Sequence, residues 1–241
     1  YKGKDMFLPI QAHVEGMYTD EELHHIRMLY AEKLTNVDKW FGYLTKAIHE
    51  LGLETNTMVM LVSDHGSPMG KGEHGHGIMR KCRPWPYEEL AHTPMIVRGP
   101  GLPRNQRLKG FVQSCDVAPT VCDWLGLGVH PSMQGKSLLP MIRGEVEKVR
   151  DFAIAGYFGM SWSIITEDYT YIHWLLKNST QNDVVKAHHA GHDIMEDEAI
   201  WTCTVGAKQD VPDEDELYDR RTDQFQLNNI IKEKPEKAQE L

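Results

Sequence analysis

An aspartate and a histidine, Asp64 and His65, stand side by side directly after a short aliphatic run, 58–62. Carboxylate oxygens and imidazole nitrogens are both common ligands of divalent cations in proteins. The run contains only Met, Val and Leu, which is typical of a strand buried on both faces of a parallel sheet. Because ligands of open α/β sheets collect outside the carboxyl ends of the strands, we predict that the pair binds a metal ion. An aspartate that only stabilises the turn is the alternative.

A glycine-rich loop follows the pair and ends in a group of basic side chains. The loop carries His74 and His76, and the basic residues are Arg80, Lys81 and Arg83. The stretch 71–109 contains eight Lys and Arg against three Glu, although the whole chain has a formal charge of −9. Fixed cations beside a metal ion suit a phosphate-like or sulfate-like group. The alternative is a solvated basic loop that binds nothing.

The predicted elements before the pair form one helix–strand unit. Thr19 and Glu22 match a capping box, and the apolar positions that follow recur at helical spacing until Gly52, which can end the helix in a left-handed conformation. The strand 58–62 comes next, so helix and strand are predicted to pack in a layered sheet. Trp40, Phe41 and Trp124 are predicted to lie in the core.

The remaining elements are shorter. After the loop we predict a strand at 94–98, a third at 111–112, a helix capped by Asp116, and another started by Ser137. From Asp151 onwards, short aromatic and β-branched runs separated by turn residues are typical of an antiparallel meander. A further strand at 216–219 and a closing helix over 225–241 complete the prediction. The predicted division is an α/β part, 1–147, and a small antiparallel subdomain, 148–241.

Composition excludes several classes of protein. The 241 residues include 35 acidic and 26 basic side chains, which argues against general nucleic-acid binding. No apolar run is long enough to span a bilayer. The four cysteines form neither a CxxC metal site nor a disulfide framework. A second histidine cluster, His188, His189 and His192, has metal-ligand spacing only on a helix, and its region is more typical of a loop.

Several segments, taken together, resemble the second half of the sulfatases of the alkaline-phosphatase superfamily. They are NVDKWFG at 36–42, VSDHG at 62–66, GEHG at 72–75, Lys81 with YEE at 87–89, TPMI at 93–96, DVAPT at 116–120, QGKSL at 134–138 and ELYD at 216–219. The resemblance implies an α/β fold. This chain would supply the C-terminal part of an alkaline-phosphatase-like layered sheet, followed by a small antiparallel β plus helix subdomain.

The resemblance also implies roles for individual residues. Asp64 and His65 match the late pair of the family's calcium ligands, and Lys81 matches the lysine that contacts the sulfate oxygens during catalysis. His74 and Arg83 are further candidates for substrate contact, and Arg80 is the alternative to Lys81. Histidine is a softer ligand than the asparagine also found at its position, but the family relationship favours calcium over zinc.

One expected part of a sulfatase site lies outside this sequence. The family uses a cysteine or serine, oxidised to formylglycine, within a Cys-x-Pro-x-Arg motif. The similar segment 82–86 ends in proline and follows the lysine, so we reject Cys82 as the nucleophile. The nucleophile and the early aspartates are expected upstream of Tyr1, which makes this chain the C-terminal half of a sulfatase.

The functional hypothesis is therefore a sulfuric ester hydrolase that uses calcium and formylglycine on a small sulfated sugar or aryl ester. This chain alone is predicted to be inactive and to bind calcium weakly. The alternatives are a phosphonate or phosphate ester hydrolase of the same superfamily, and a non-catalytic fragment that binds anions or a partner. The family favours a periplasmic or secreted location, while the oligomeric state is left open.

Overall fold

The computed structural model describes residues 18–78, 85–157, 159–175, 177 and 212–241. The histidine cluster at His188, His189 and His192 lies outside these ranges, so its status stays a prediction. No helix within the described ranges combines the length and the apolar character needed to cross a membrane.

A long helix, α1, spans Asp20–Glu50 and begins with the predicted capping box. The Thr19 backbone amide donates to Glu22 Oε2 at 2.8 Å, and the Glu22 amide donates to Thr19 Oγ1 at 3.2 Å. Gly52 follows the helix with φ +67°, which is the left-handed ending expected from the sequence. A short 3-10 turn, Leu53–Thr55, leads from there to the first strand.

Most of the apolar face of α1 is exposed in this chain. Only Leu23 and Ile26 are buried, close to the start of the helix. Trp40 is 68% exposed, and Leu34 and Leu44 are each 51% exposed. The prediction that Trp40 lies in the core is therefore wrong for the part of the chain that the structure describes. The physical reason is that the described elements cover the later turns of this helix only in part, where Phe41, Thr45 and Ile48 are half-buried.

Two strands form a small sheet. Strand β1, Val59–Val62, pairs antiparallel with β2, Met95–Arg98, with Leu61 opposite Ile96. The prediction of a doubly buried strand in a parallel sheet is wrong for the described residues, because β2 is the one partner of β1 and Val62 is 46% exposed. The strand predicted at 111–112 is also absent from the described structure.

One short helix lies between these two strands in the sequence, and two more follow them. They are α2 at Glu88–Ala91, α3 at Val117–Trp124 and α4 at Leu139–Ile142. Asp116 does not cap α3 with its side chain, which corrects the prediction. Its fully buried carboxylate instead accepts hydrogen bonds from the Gln113 and Lys136 amides, both at 2.8 Å, and from the Arg150 guanidinium. Asp116 therefore joins three separate segments of the chain.

The C-terminal part contains a four-stranded antiparallel meander. Its strands are β3 at Ala153–Tyr157, β4 at Ser161–Ile165, β5 at Tyr169–Trp174 and β6 at Glu216–Asp219, in the order β3-β4-β5-β6. These strands confirm the sequence prediction. The predicted closing helix is wrong over its first ten residues, since α5 covers only Pro235–Glu240. Gln226 lies at φ +58°, which a helix does not allow.

A buried cluster joins the meander to the segment that follows the glycine-rich loop. Its members are Ile78, Trp85, Tyr87, Ile172, Trp174 and Tyr218. Ile172 and Trp174 come from β5 and Tyr218 comes from β6, while the other three flank or follow the basic segment of the loop. This cluster fixes the two ends of the basic segment against the C-terminal sheet.

Candidate metal and anion site

The turn after β1 is held tightly against α2. The Gly66 amide donates to the Leu90 carbonyl at 2.7 Å, and a Cβ atom at Gly66 would lie 2.2 Å from the Glu89 carbonyl oxygen. No residue other than glycine fits such a close approach of two backbones without a shift. Ser63 Oγ also donates to the His65 carbonyl at 2.9 Å. These contacts fix the backbone that carries the predicted metal ligands.

Asp64 and His65 bring their side chains together at this turn. Asp64 Oδ2 lies 3.4 Å from His65 Nε2, and Asp64 Oδ1 accepts from the His65 amide at 3.0 Å. His65 Nδ1 lies 2.7 Å from the Gly66 carbonyl oxygen. Because a carbonyl can only accept, Nδ1 must carry a hydrogen, so in a neutral ring the lone pair is on Nε2 and faces the carboxylate. In a neutral ring, two electron-pair donors, Nε2 of His65 and Oδ2 of Asp64, therefore lie 3.4 Å apart.

This donor set fits a divalent cation. A histidine ligand usually donates its other ring N–H to a backbone carbonyl or a carboxylate, as His65 does to Gly66. The Asp64 side chain is 82% exposed and that of His65 is 35% exposed, so an ion can reach both. Calcium takes roughly six to eight oxygen-rich ligands, of which this pair would supply two. Among the described residues no group of three or more His, Cys, Asp or Glu is arranged to hold a metal.

The glycine-rich loop folds back on itself and onto α1. The Gly77 amide donates to the Gly70 carbonyl at 3.0 Å, which closes the loop. Arg27 of α1 donates from Nε and Nη2 to the Met69 carbonyl at 3.0 and 2.8 Å. Lys71 Nζ forms an ion pair with Asp20 Oδ1 at 2.6 Å. The ammonium group of Lys71 is therefore directed to the start of α1.

The candidates for substrate contact have different positions. His74 is exposed, and its ring packs edge-on against Phe225 with 5.7 Å between the ring centres. The structure therefore places His74 beside the C-terminal segment, and its role in binding substrate stays a prediction. Lys81 and Arg83, together with Arg80, lie outside the described residues. Their predicted roles rest on the sequence alone.

The structure also shows a buried polar cluster that sequence reasoning did not find. Glu216, at the start of β6, is 8% exposed and accepts a hydrogen bond from Tyr87 Oη at 3.2 Å. Burial raises the pKa of Glu216 to about 6, although neighbouring donors on Tyr218 and Tyr87 oppose the rise. Burial likewise raises the pKa of Tyr87 and of Tyr218.

His76 lies between this cluster and α2. Its ring stacks on Tyr87 with 3.5 Å between ring centres and a 2° angle between the planes. Its Nε2 lies 2.7 Å from the Gln226 carbonyl oxygen, and Nδ1 lies 3.5 Å from Glu89 Oε1. Both ring nitrogens therefore face acceptor oxygens. The role of Glu216 could have been noticed in the sequence, because a charged residue begins a strand whose next two residues are apolar or aromatic. Nothing in the sequence indicated a role for Gln226.

Two overlapping regions of the chain match models of protein families. Residues 7–127 match the family model described as Sulfatase. Residues 72–200 match a second model, described as N-sulphoglucosamine sulphohydrolase, C-terminal. Each match covers half of the 241 residues or slightly more.

Individual relatives agree with these matches. Arylsulfatase K of Mus musculus is 28% identical over 138 residues, which cover 57% of this chain and 24% of the relative. A protein solved in complex with its substrate D-glucosamine-2-N,6-O-disulfate is 25% identical, with a TM-score of 0.62, and the match covers 86% of this chain and 37% of that one. A phosphonate monoester hydrolase of Agrobacterium radiobacter shares the fold, with 21% identity, a TM-score of 0.66, and coverage of 92% and 41%.

The chain matches only part of the length of each of these relatives. It spans about a quarter of the mouse relative and about two fifths of the two solved proteins. These similar structures confirm the predicted alkaline-phosphatase-like α/β fold. The motifs that place Asp64 and His65 at the end of β1 lie within the first matched region. This chain belongs to the sulfatase family.

Proposed function

We propose that this chain supplies the metal-binding turn and an anion-binding lysine to the active site of a sulfuric ester hydrolase. The observation that carries the proposal is the convergence of Asp64 Oδ2 and His65 Nε2 at 3.4 Å, with His65 oriented by the Gly66 carbonyl. An oriented carboxylate–imidazole pair at the carboxyl end of a strand suits a cation that binds an anionic group.

The proposed roles follow from charge. Asp64 and His65 would hold calcium, whose charge would stabilise the negative charge that develops on the ester during cleavage. Lys81 would place an ammonium group against the sulfate oxygens, where a fixed cation stabilises the transition state. His74 and Arg83 would contact the substrate further from the reacting atom. The formylglycine nucleophile and the other calcium ligands would come from the part of the sulfatase fold that this chain does not span.

The exposed apolar face of α1 supports the proposal that this chain and another part of a longer protein form the active site together. Trp40, Leu34 and Leu44 are all more than half exposed on this helix, and the matched relatives are more than twice as long as this chain. The part of the sulfatase fold that this chain does not span would cover this apolar face and the edge of β1 that has no partner strand among the described residues. The 241 residues on their own would then bind calcium weakly and hydrolyse no ester.

The substrate would be a small sulfated sugar or aryl ester. The solved protein bound to a glucosamine disulfate supports a sulfated sugar, and the relatives named Arylsulfatase K support a sulfate ester in general. We also propose a periplasmic or secreted location, because the resemblance to the sulfatase family favours it.

Two alternatives share the site. The phosphonate monoester hydrolase has the same fold, so a phosphonate or phosphate ester hydrolase is the nearest one. The other is a non-catalytic fragment that binds anions or a partner protein. The deciding experiment compares kcat/KM of the full-length protein for p-nitrophenyl sulfate, p-nitrophenyl phosphate and a phenyl phosphonate ester. A clear preference for the sulfate supports the proposal. A preference for either phosphorus ester would overturn it, and so would no turnover of any of the three combined with no turnover of a sulfated sugar such as D-glucosamine-2-N,6-O-disulfate.

A further inference from the structure

Helix α2 packs against the turn that carries the candidate metal ligands. Its Leu90 carbonyl accepts the Gly66 amide at 2.7 Å, and the Glu89 carbonyl lies so close to Gly66 that no side chain fits between them. The backbone position of the Asp64–His65 turn therefore depends on where α2 lies. A helix of four residues has little stability of its own, so other contacts must fix it.

Gln226 provides such a contact. Its Oε1 atom accepts a hydrogen bond from the Glu88 amide, the first of α2, at 2.6 Å. Its carbonyl oxygen accepts from His76 Nε2 at 2.7 Å. One residue of the C-terminal segment therefore holds both α2 and the glycine-rich loop.

The conformation of Gln226 indicates that this contact is well determined. The residue lies at φ +58° and is only 2% exposed. A left-handed backbone is unfavourable for a residue with a side chain, and it persists where surrounding contacts enforce it. Here the surrounding contacts include the two hydrogen bonds from Glu88 and His76 and the bond that the Gln226 amide donates to the Asp223 carbonyl at 3.3 Å.

The same loop is fixed from a second direction. Glu89 Oε1 lies 3.4 Å from the His76 amide, and Glu89 Oε2 would be 2.5 Å from a Cβ atom on Gly75. Glu89 belongs to α2, so the helix that Gln226 holds is also the helix that holds the loop. A displacement of α2 would move the metal turn and the loop together.

We propose that Gln226 is a positioning residue for the Asp64–His65 metal site and acts through α2. The inference deepens the proposed function, since it assigns a role in that site to the C-terminal part. It does not make Gln226 a ligand, because its side-chain oxygen is used by the Glu88 amide. Residues that orient metal ligands typically change metal affinity by roughly 10–100-fold when they are replaced.

The test measures calcium affinity of the full-length protein by calorimetry for four variants. Gln226→Asn tolerates the left-handed backbone but is too short to reach Glu88, and we expect about a tenfold weaker Kd. Gln226→Glu keeps an acceptor at the same reach, although its charge is buried, and should weaken the Kd less than Gln226→Asn does. Leu139→Ala, in the buried core at α4, is the control for general destabilisation and should leave the Kd unchanged. Asp64→Ala should abolish the site.

Each outcome has a defined meaning. A wild-type Kd in Gln226→Asn would overturn the inference, and so would an equal loss in Gln226→Asn and Leu139→Ala. The inference would also fail if calcium binding did not depend on Asp64. Calcium affinity can be measured without turnover, so the inference and the proposed function can fail separately. If calcium binding depends on Asp64 and Gln226 but the protein cleaves no sulfate ester, the proposed function is overturned and the inference about Gln226 stands.

Discussion

His65 Nδ1 is fixed to the Gly66 carbonyl at 2.7 Å, which leaves Nε2 facing Asp64 Oδ2 at 3.4 Å. The backbone of the turn therefore orients the imidazole. A ligand that is oriented in advance loses less conformational freedom when it binds a metal.

Replacing His65 should change the preference of the site between metals. His65→Asn supplies an oxygen in place of a nitrogen, and calcium prefers oxygen ligands more strongly than zinc does. We expect the ratio of calcium to zinc bound by the full-length protein in a competition assay to rise in His65→Asn. His65→Ala, which removes the ligand, should weaken binding of both metals. An unchanged calcium-to-zinc ratio in His65→Asn would show that the ring is not a ligand.

Gly66→Ala should destabilise the fold. The added methyl group would lie 2.2 Å from the Glu89 carbonyl oxygen, so β1 and α2 would have to separate. We expect the free energy of unfolding to fall by about 1–3 kcal/mol, as for other overpacked sites. Gly128→Ala is the matched control, since a Cβ there meets nothing within 4 Å. Equal effects of the two substitutions, measured by urea unfolding, would contradict the close packing of this turn.

Glu216→Gln should make stability less dependent on pH. Burial raises the pKa of Glu216 from 4.5 in the unfolded chain to about 6 in the folded one. The folded state therefore holds this proton more strongly, and the stability it contributes below pH 4.5 is lost as the pH rises through 6.

The glutamine variant lacks this loss, so its stability relative to the wild type should increase with pH. The expected increase between pH 4 and pH 7.5 is about 2 kcal/mol in the free energy of unfolding. Urea unfolding of both proteins at the two pH values measures it. A difference between variant and wild type that stays constant, or that falls as the pH rises, would show that Glu216 is not buried as an ionisable group.

Lys81 and Arg80 can be distinguished by kinetics. If Lys81 stabilises the developing charge, Lys81→Ala should lower kcat of the full-length enzyme by roughly 10²–10³-fold. Arg80→Ala should change kcat by less than about tenfold, because it would remove only a more distant charge. The reverse order of the two effects would assign the anion-binding role to Arg80.

Local patterns predicted the C-terminal sheet well. The strands 153–157, 161–165 and 169–174 are short alternating runs, and turn residues separate them. A strand that pairs with its neighbour in sequence needs little information from elsewhere in the chain. The capping box of α1 was predictable for the same reason, because both partners lie within one turn.

Features that depend on distant partners were not predicted. The aliphatic run 59–62 identifies a strand but does not say which strand pairs with it, and its partner β2 is antiparallel. The exposure of Trp40 depends on what covers α1, which its own helical period does not contain. Gln226 and Asp116 act through bonds to residues far away in sequence. The proposed metal pair needed no distant partner to be noticed, because its two residues are adjacent in sequence, and its role as a metal site stays a prediction.

The division at residues 147 and 148 remains a prediction. Contacts at buried positions cross it, among them those from Arg150 to Asp116, from Tyr87 to Glu216 and from Glu88 to Gln226. A buried ion pair is costly to break when only one partner is removed. The C-terminal subdomain therefore supports the part that carries the site.

The most direct test of the central claim is the calcium content and the activity of full-length Asp64→Asn. Purified wild-type protein should retain about one calcium ion per chain by elemental analysis and should hydrolyse p-nitrophenyl sulfate. Asp64→Asn should lose both, whereas Asp151→Asn, which changes an exposed carboxylate paired with Lys148, should lose neither. An Asp64→Asn protein that keeps its calcium and its kcat/KM would contradict the assignment of this turn as the metal site.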